Sequence, residues 1–99
     1  MSACVLMIFA PPALEETLVD WLLENESVSG FSTMHGYGHG ANTSAMSLLD
    51  QVAGRQRKVE FIVSTTEAVA QQLVAGLREK FAGSRLHYMV MPLVSEGTI

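Results

Sequence analysis

The six residues Cys4-Val5-Leu6-Met7-Ile8-Phe9 are all apolar, and the run is cut off by Pro11-Pro12. It has no polar alternation and is too short for a core helix, so it reads as a central strand that is apolar toward both faces. The rest of the fold must be built around such a strand. The two prolines suit the first turn of a helix, and Glu15 and Glu16 complement its dipole. Leu14, Leu18, Trp21 and Leu22 then recur on one helical face, which predicts a helix over 12–25. Residues 28–37 mix β-branched and aromatic side chains and predict a second strand. It sets Phe31, Thr33, His35 and Tyr37 on one face and Val28, Ser32 and Met34 on the other.

Residues 59–63 predict a third strand, with Arg55 and Arg57 at its entrance. Ser64-Thr65-Thr66-Glu67 reads as a capping box, and the following helix carries Val69, Leu73 and Leu77 flanked by Ala70, Val74 and Phe81. Lys80 and Gly83 close that helix. Residues 86–94 predict the last strand, with Leu86, Tyr88 and Val90 on one face and His87, Met89 and Met91 on the other; 95–99 read as a tail.

The order strand, helix, strand, strand, helix, strand is the ferredoxin-like βαββαβ sandwich, an α+β fold with strand order 4-1-3-2 and both helices on one face of an antiparallel sheet. Ninety-nine residues suffice for one such domain, 1–99. Between about 38 and 54 the chain turns small and polar around an apolar knot of Met46, Leu48, Leu49 and Val52, and a connection this long is characteristic of a functional loop. With 48% hydrophobic and 16% charged residues, the chain has more apolar surface than one small core can hide. The first strand and Met89 and Met91 would leave an apolar face open, so a homo-oligomer, a trimer or another closed ring, is expected.

Ten acidic residues against six basic ones give a net charge of −4, which argues against a nucleic-acid partner. The longest apolar run, 3–10, is far below the roughly 20 residues that span a bilayer, so no membrane insertion and a cytoplasmic location are expected. Cys4 is the single cysteine, which excludes an internal disulfide and a CxxC pair and reads as a small buried hydrophobe. No grouping of Ser, His and Asp, and no carboxylate pair, marks an enzyme.

His35 and His39 lie four apart among Gly36, Gly38 and Gly40. On a flat strand they would stand about 13 Å apart at roughly 3.3 Å per residue. They could share a zinc or copper ion only if the glycines bend the chain; otherwise they are histidines with ordinary hydrogen bonds. His87 shares a strand face with Met89 and Met91, a set that would suit copper(I) or simple subunit packing. With the first and last predicted edge strands at opposite sides of the sheet, His87 could join His35 or His39 only across a subunit boundary. Arg55, Arg57 and Lys58 form the basic cluster, either an anion contact or a solvated strand edge.

Ser29-Gly30-Phe31, Gly36-Tyr37-Gly38-His39-Gly40, Gln51-Val52-Ala53-Gly54-Arg55 and Lys58-Val59-Glu60-Phe61-Ile62-Val63, taken with the element order, resemble the PII-like superfamily. These are small ferredoxin-like trimers that include nitrogen regulatory PII proteins and CutA-like relatives. The chain is most similar to a branch found beside heavy-metal efflux pumps. The resemblance implies a non-enzymatic signalling protein that senses a small ligand or metal ion through its long loop and regulates a partner, such as a metal-efflux pump or its regulator. Its alternative is a CutA-like metal-tolerance protein without partner signalling. Tyr37, Gly38, Arg55 and Arg57 are the candidate ligand or anion contacts, and His35, His39 and His87 the candidate metal ligands. The resemblance stops short of the ATP-binding segments of true PII proteins. Here they read Phe81-Ala82-Gly83-Ser84-Arg85 and Pro92-Leu93-Val94-Ser95-Glu96-Gly97-Thr98-Ile99, without phosphate-cradling glycines or a basic tail.

Overall fold

Strand β1 (Ala3–Ala10) is paired on both sides, antiparallel to β3 (Gln56–Thr66) and to β4 (His87–Pro92), and β2 (Ser32–Gly38) flanks β3. The sheet order is therefore β2-β3-β1-β4, the order expected for the ferredoxin-like sandwich. The computed structural model describes residues 2–40 and 55–99. The expected apolar knot at Met46, Leu48, Leu49 and Val52, and most of the 38–54 connection, lie outside the described residues.

Register decides which face each side chain takes. Leu6 opposes Val63 and Val90, and Ile8 opposes Phe61 and Tyr88, and this row faces the helices. Helix α1 (Glu15–Glu24), entered through a single 3-10 turn at Pro12–Leu14, buries Leu18 and Leu22 against it. Helix α2 (Glu67–Lys80) adds Ala70, Leu73, Val74 and Leu77. Each fully buried leucine, isoleucine or phenylalanine contributes about 1.5–3 kcal/mol of transfer free energy.

The other face carries Val5, Met7, Phe9, Ile62, Met89 and Met91, opposed in the ladders Met7 to Ile62 and Met89, and Val5 to Met91. No described element covers it, and Met89 and Met91 are exposed. The strand that reads as apolar on both faces is thus covered by the helices on one side only among the described residues.

Two boundaries depart from the sequence expectation. The capping residue of α2 is Thr66, whose Oγ1 accepts from the Val69 N–H at 3.3 Å, and Ser64 and Thr65 remain strand. The β1–β3 ladder runs to the pair Ala3–Thr66, and its backbone hydrogen bonds hold the chain extended two residues past the apparent cap, Ser64. Ser64, on the open face, donates instead to Glu96 Oε1 at 3.3 Å. Strand β4 starts at His87, one residue late, because Arg85 sits at φ 62 and breaks the extended run. Strand β2 likewise begins at Ser32 instead of residue 28, since Val28 closes a turn onto the Asn25 carbonyl after α1.

Candidate functional site

At one end of the sheet β1 runs into Pro11-Pro12, β2 ends at Gly38, β3 begins at Gln56, and the turn after α2 leads into β4. Four of the six Lys and Arg residues, Arg55, Arg57, Lys58 and Arg85, stand at this corner. It has two sides. On the helix side Tyr37 opposes Arg57 in the ladder, and the Arg55 guanidinium lies 4.1 Å from the Tyr37 ring centroid. A cleft of ≈ 290 Å³ there is lined by Pro12, His35, Gly36, Tyr37, Arg57 and Lys58. Tyr37 is 54% exposed, so its ring is a flat platform at the rim.

On the open side a smaller cleft of ≈ 100 Å³ is lined by Phe9, Ala10, Pro11, Gln56, Lys58, Arg85 and His87. The Lys58 ammonium lies 5.1 Å from the Phe9 ring centroid, and the His87 ring rests against the same phenylalanine, centroids 5.7 Å apart. Phe9 thereby positions two nitrogen-bearing side chains, and cation–π attraction holds the ammonium near its ring. A Cβ at Gly38 would stand 2.5 Å from Lys58 Cε, so the movable end of the lysine passes directly over this glycine. Arg85 lines the cleft from a left-handed backbone conformation that costs an arginine about 1 kcal/mol or more.

His35 opposes Val59 on the helix side and its Nε2 contacts Glu15 at 3.0 and 3.1 Å, tying the edge strand to α1. His87 opposes Phe9 on the open side of the other edge. His35 and His87 therefore stand on opposite faces and opposite edges of one sheet, and His39 follows the last residue of β2, exposed. Among the described residues, no three His, Cys, Asp or Glu side chains group closely enough to hold a metal ion. Tyr37, Gly38, Arg55 and Arg57 lie at this corner together with Lys58, the third member of the basic cluster read in the sequence; Arg85 and His87 reach it from the far side of β1, a proximity that the sequence pattern alone does not display.

Several cationic groups over an apolar and aromatic floor suit a small anionic ligand with a flat or apolar part. Glu60, two residues beyond Lys58 on the same face, limits the net positive charge. Cys4 is elsewhere, at the opposite end of β1. Its thiol pKa is raised by burial first and by Glu67 and Glu96 second, which makes it a poor nucleophile. No helix among the described residues is long and apolar enough to cross a membrane.

The model of a family described as "Protein of unknown function (DUF3240)" matches residues 1–99. No curated protein matches the chain. Among solved structures, a DUF3240 family protein from Shewanella baltica is similar at a TM-score of 0.79 and 22% identity, covering 100% of this chain and 98% of that one. CPII from Thiomonas intermedia, a nitrogen regulatory PII-like protein solved with ADP, AMP and bicarbonate, is similar at 0.72 and 19%, covering 100% and 98%. A putative PII-like signalling protein from Thermus thermophilus is similar at 0.66 and 18%, covering 94% and 90%. At these identities the likeness shows a shared fold.

Proposed function

We propose, from the premise that the chain belongs to the DUF3240 family, that it is a non-enzymatic PII-like sensor whose ligand is a small anion of the adenine nucleotide class. The observation that supports this reading is the corner itself. Lys58 and Arg85, 27 positions apart in the chain, line one cleft together with Phe9 and His87. A phosphate group satisfies the ammonium and guanidinium, and a purine ring suits the aromatic wall that Phe9 gives the same cleft. The PII-like CPII was solved with ADP and AMP, which makes those nucleotides the first ligands to try.

The glycines and basic tail of true PII proteins are absent, so on this reading Lys58 and Arg85 supply the phosphate contacts. A metal ion shared by His35, His39 and His87 would require side chains of another copy, which leaves the anion as the better-supported ligand. The open apolar sheet face is read as buried between copies, in a trimer by analogy with PII-like proteins. The partner proposed for regulation, a heavy-metal efflux pump or its regulator, rests on the sequence resemblance.

Isothermal titration of the full chain with ADP, AMP and ATP tests the reading. Saturable binding is expected, weakened about tenfold by Lys58→Gln or Arg85→Gln and by added salt. Absence of binding by a folded chain, or binding by both variants as tight as by the unaltered chain, would overturn it.

A further inference from the structure

A cleft of ≈ 440 Å³ lies on the helix side between the end of α2 and the start of β4, and meets the cationic corner only at Arg85. Its floor is Val74, Leu77, Phe81, Leu86 and Tyr88, of which the first three are buried core residues. Its volume falls in the range of small-molecule sites. Arg78 stands at its rim, and Nη2 donates to the Tyr88 hydroxyl at 2.7 Å while the guanidinium lies 5.7 Å from that ring centroid. The bond takes one of the five N–H donors of the guanidinium and fixes it beside the apolar floor.

Arg85 reaches the same cleft from its left-handed turn. Residues 78–85 carry Arg78, Lys80 and Arg85 against Glu79 alone, in a chain whose net charge is −4. An apolar trough edged by two guanidiniums in an acidic protein selects a ligand that is apolar along its length and negative at one end. We infer that this cleft binds a medium-chain carboxylate, with the hydrocarbon on Leu77, Phe81 and Leu86 and the carboxylate on Arg78. It is a second site, adjoining the corner at Arg85 but holding its carboxylate on Arg78.

Decanoate titrated into the full-length, isotope-labelled chain tests this by amide chemical shifts. Saturable shifts are expected at Leu77, Phe81, Leu86 and Tyr88. Arg78→Gln, at an exposed position, should weaken decanoate about tenfold, and 1-decanol should bind about tenfold more weakly than decanoate to the unaltered chain. Lys58→Gln should leave decanoate unaffected, and ADP should not displace it. Equal binding of decanol and decanoate, shifts confined to Met7 and Met89 on the open face, or displacement by ADP would each overturn the assignment. Loss of ADP binding with decanoate binding intact would refute the nucleotide reading and leave this one standing.

Discussion

Gly76 lies inside α2, where glycine costs about 1 kcal/mol relative to alanine, yet an alanine there should destabilise the protein. A Cβ built on Gly76 would stand 2.8 Å from Trp21 Cζ2 and 3.4 Å from Cη2, and both atoms belong to a rigid ring. Carbon atoms pack best at about 3.5–4.0 Å, so the indole must retreat by about 0.7 Å or more. Trp21 is also held edge-on to Phe81, centroids 5.9 Å apart at 87°, and that contact shifts with it. Overpacking of this kind costs about 1–3 kcal/mol. Set against the helix-propensity gain, the net effect of Gly76→Ala is a loss of about 1 kcal/mol. Trp21→Leu removes the ring, and in that background Gly76→Ala should stabilise by about 1 kcal/mol. The implied coupling of about 2 kcal/mol is in the range for touching residues. Urea unfolding read by far-ultraviolet circular dichroism at one protein concentration measures it, since Trp21 is the one tryptophan and cannot report on its own replacement. If Gly76→Ala stabilises both backgrounds equally, the close approach of the two helices is not what selects glycine.

Thr66→Ala should cost about 1 kcal/mol by removing the cap of α2, while Ser64→Ala should stay within about 0.5 kcal/mol; urea midpoints of the two variants separate the observed cap from the apparent box. Burial, then Glu67 and Glu96, raises the folded-state pKa of Cys4 above its ordinary 9.0. The folded chain therefore holds this proton more tightly than the unfolded one. The resulting stability is fully present below about pH 9 and is lost as pH rises through the folded pKa, so Cys4→Ala should flatten the alkaline limb of a stability–pH curve. Met7→Lys places a charge at the centre of the open apolar face and should shift native mass spectra to smaller species, whereas an unchanged assembly would show that this face is not the interface.

The element order, the strand order and the buried faces of both helices were legible. Leu18 and Leu22, and Leu73 and Leu77, repeat at helical spacing and are buried, whereas the run that holds Leu6 and Ile8 has no alternation to say which side the core takes. Element ends were less legible, since they are decided between segments. Thr66 outcompetes Ser64 as the cap because Ala3, 63 positions earlier, pairs with it. Nothing in Ser64-Thr65-Thr66-Glu67 records that partner.

The same distinction governs the site. Tyr37, Gly38, Arg55 and Arg57 could be grouped from the sequence because they flank one connection, and the structure does set them at one corner. Arg85 could not, since its nearness to Lys58 depends on β1 lying between β3 and β4, with Phe9 paired to Glu60 on one side and His87 on the other. The histidines fail to converge for the converse reason. His35 and His87 both lie on strands near this end, but their alternation parity relative to β1 is opposite, and a one-residue difference in parity moves a side chain to the other face. A binding set in this fold must share both an end of the sheet and a parity. Lys58 and His87 on the open face meet that condition, as do Tyr37, Arg55 and Arg57 on the helix face, and Arg85, standing on a turn outside the ladder, is free of the parity rule and lines the corner's smaller cleft.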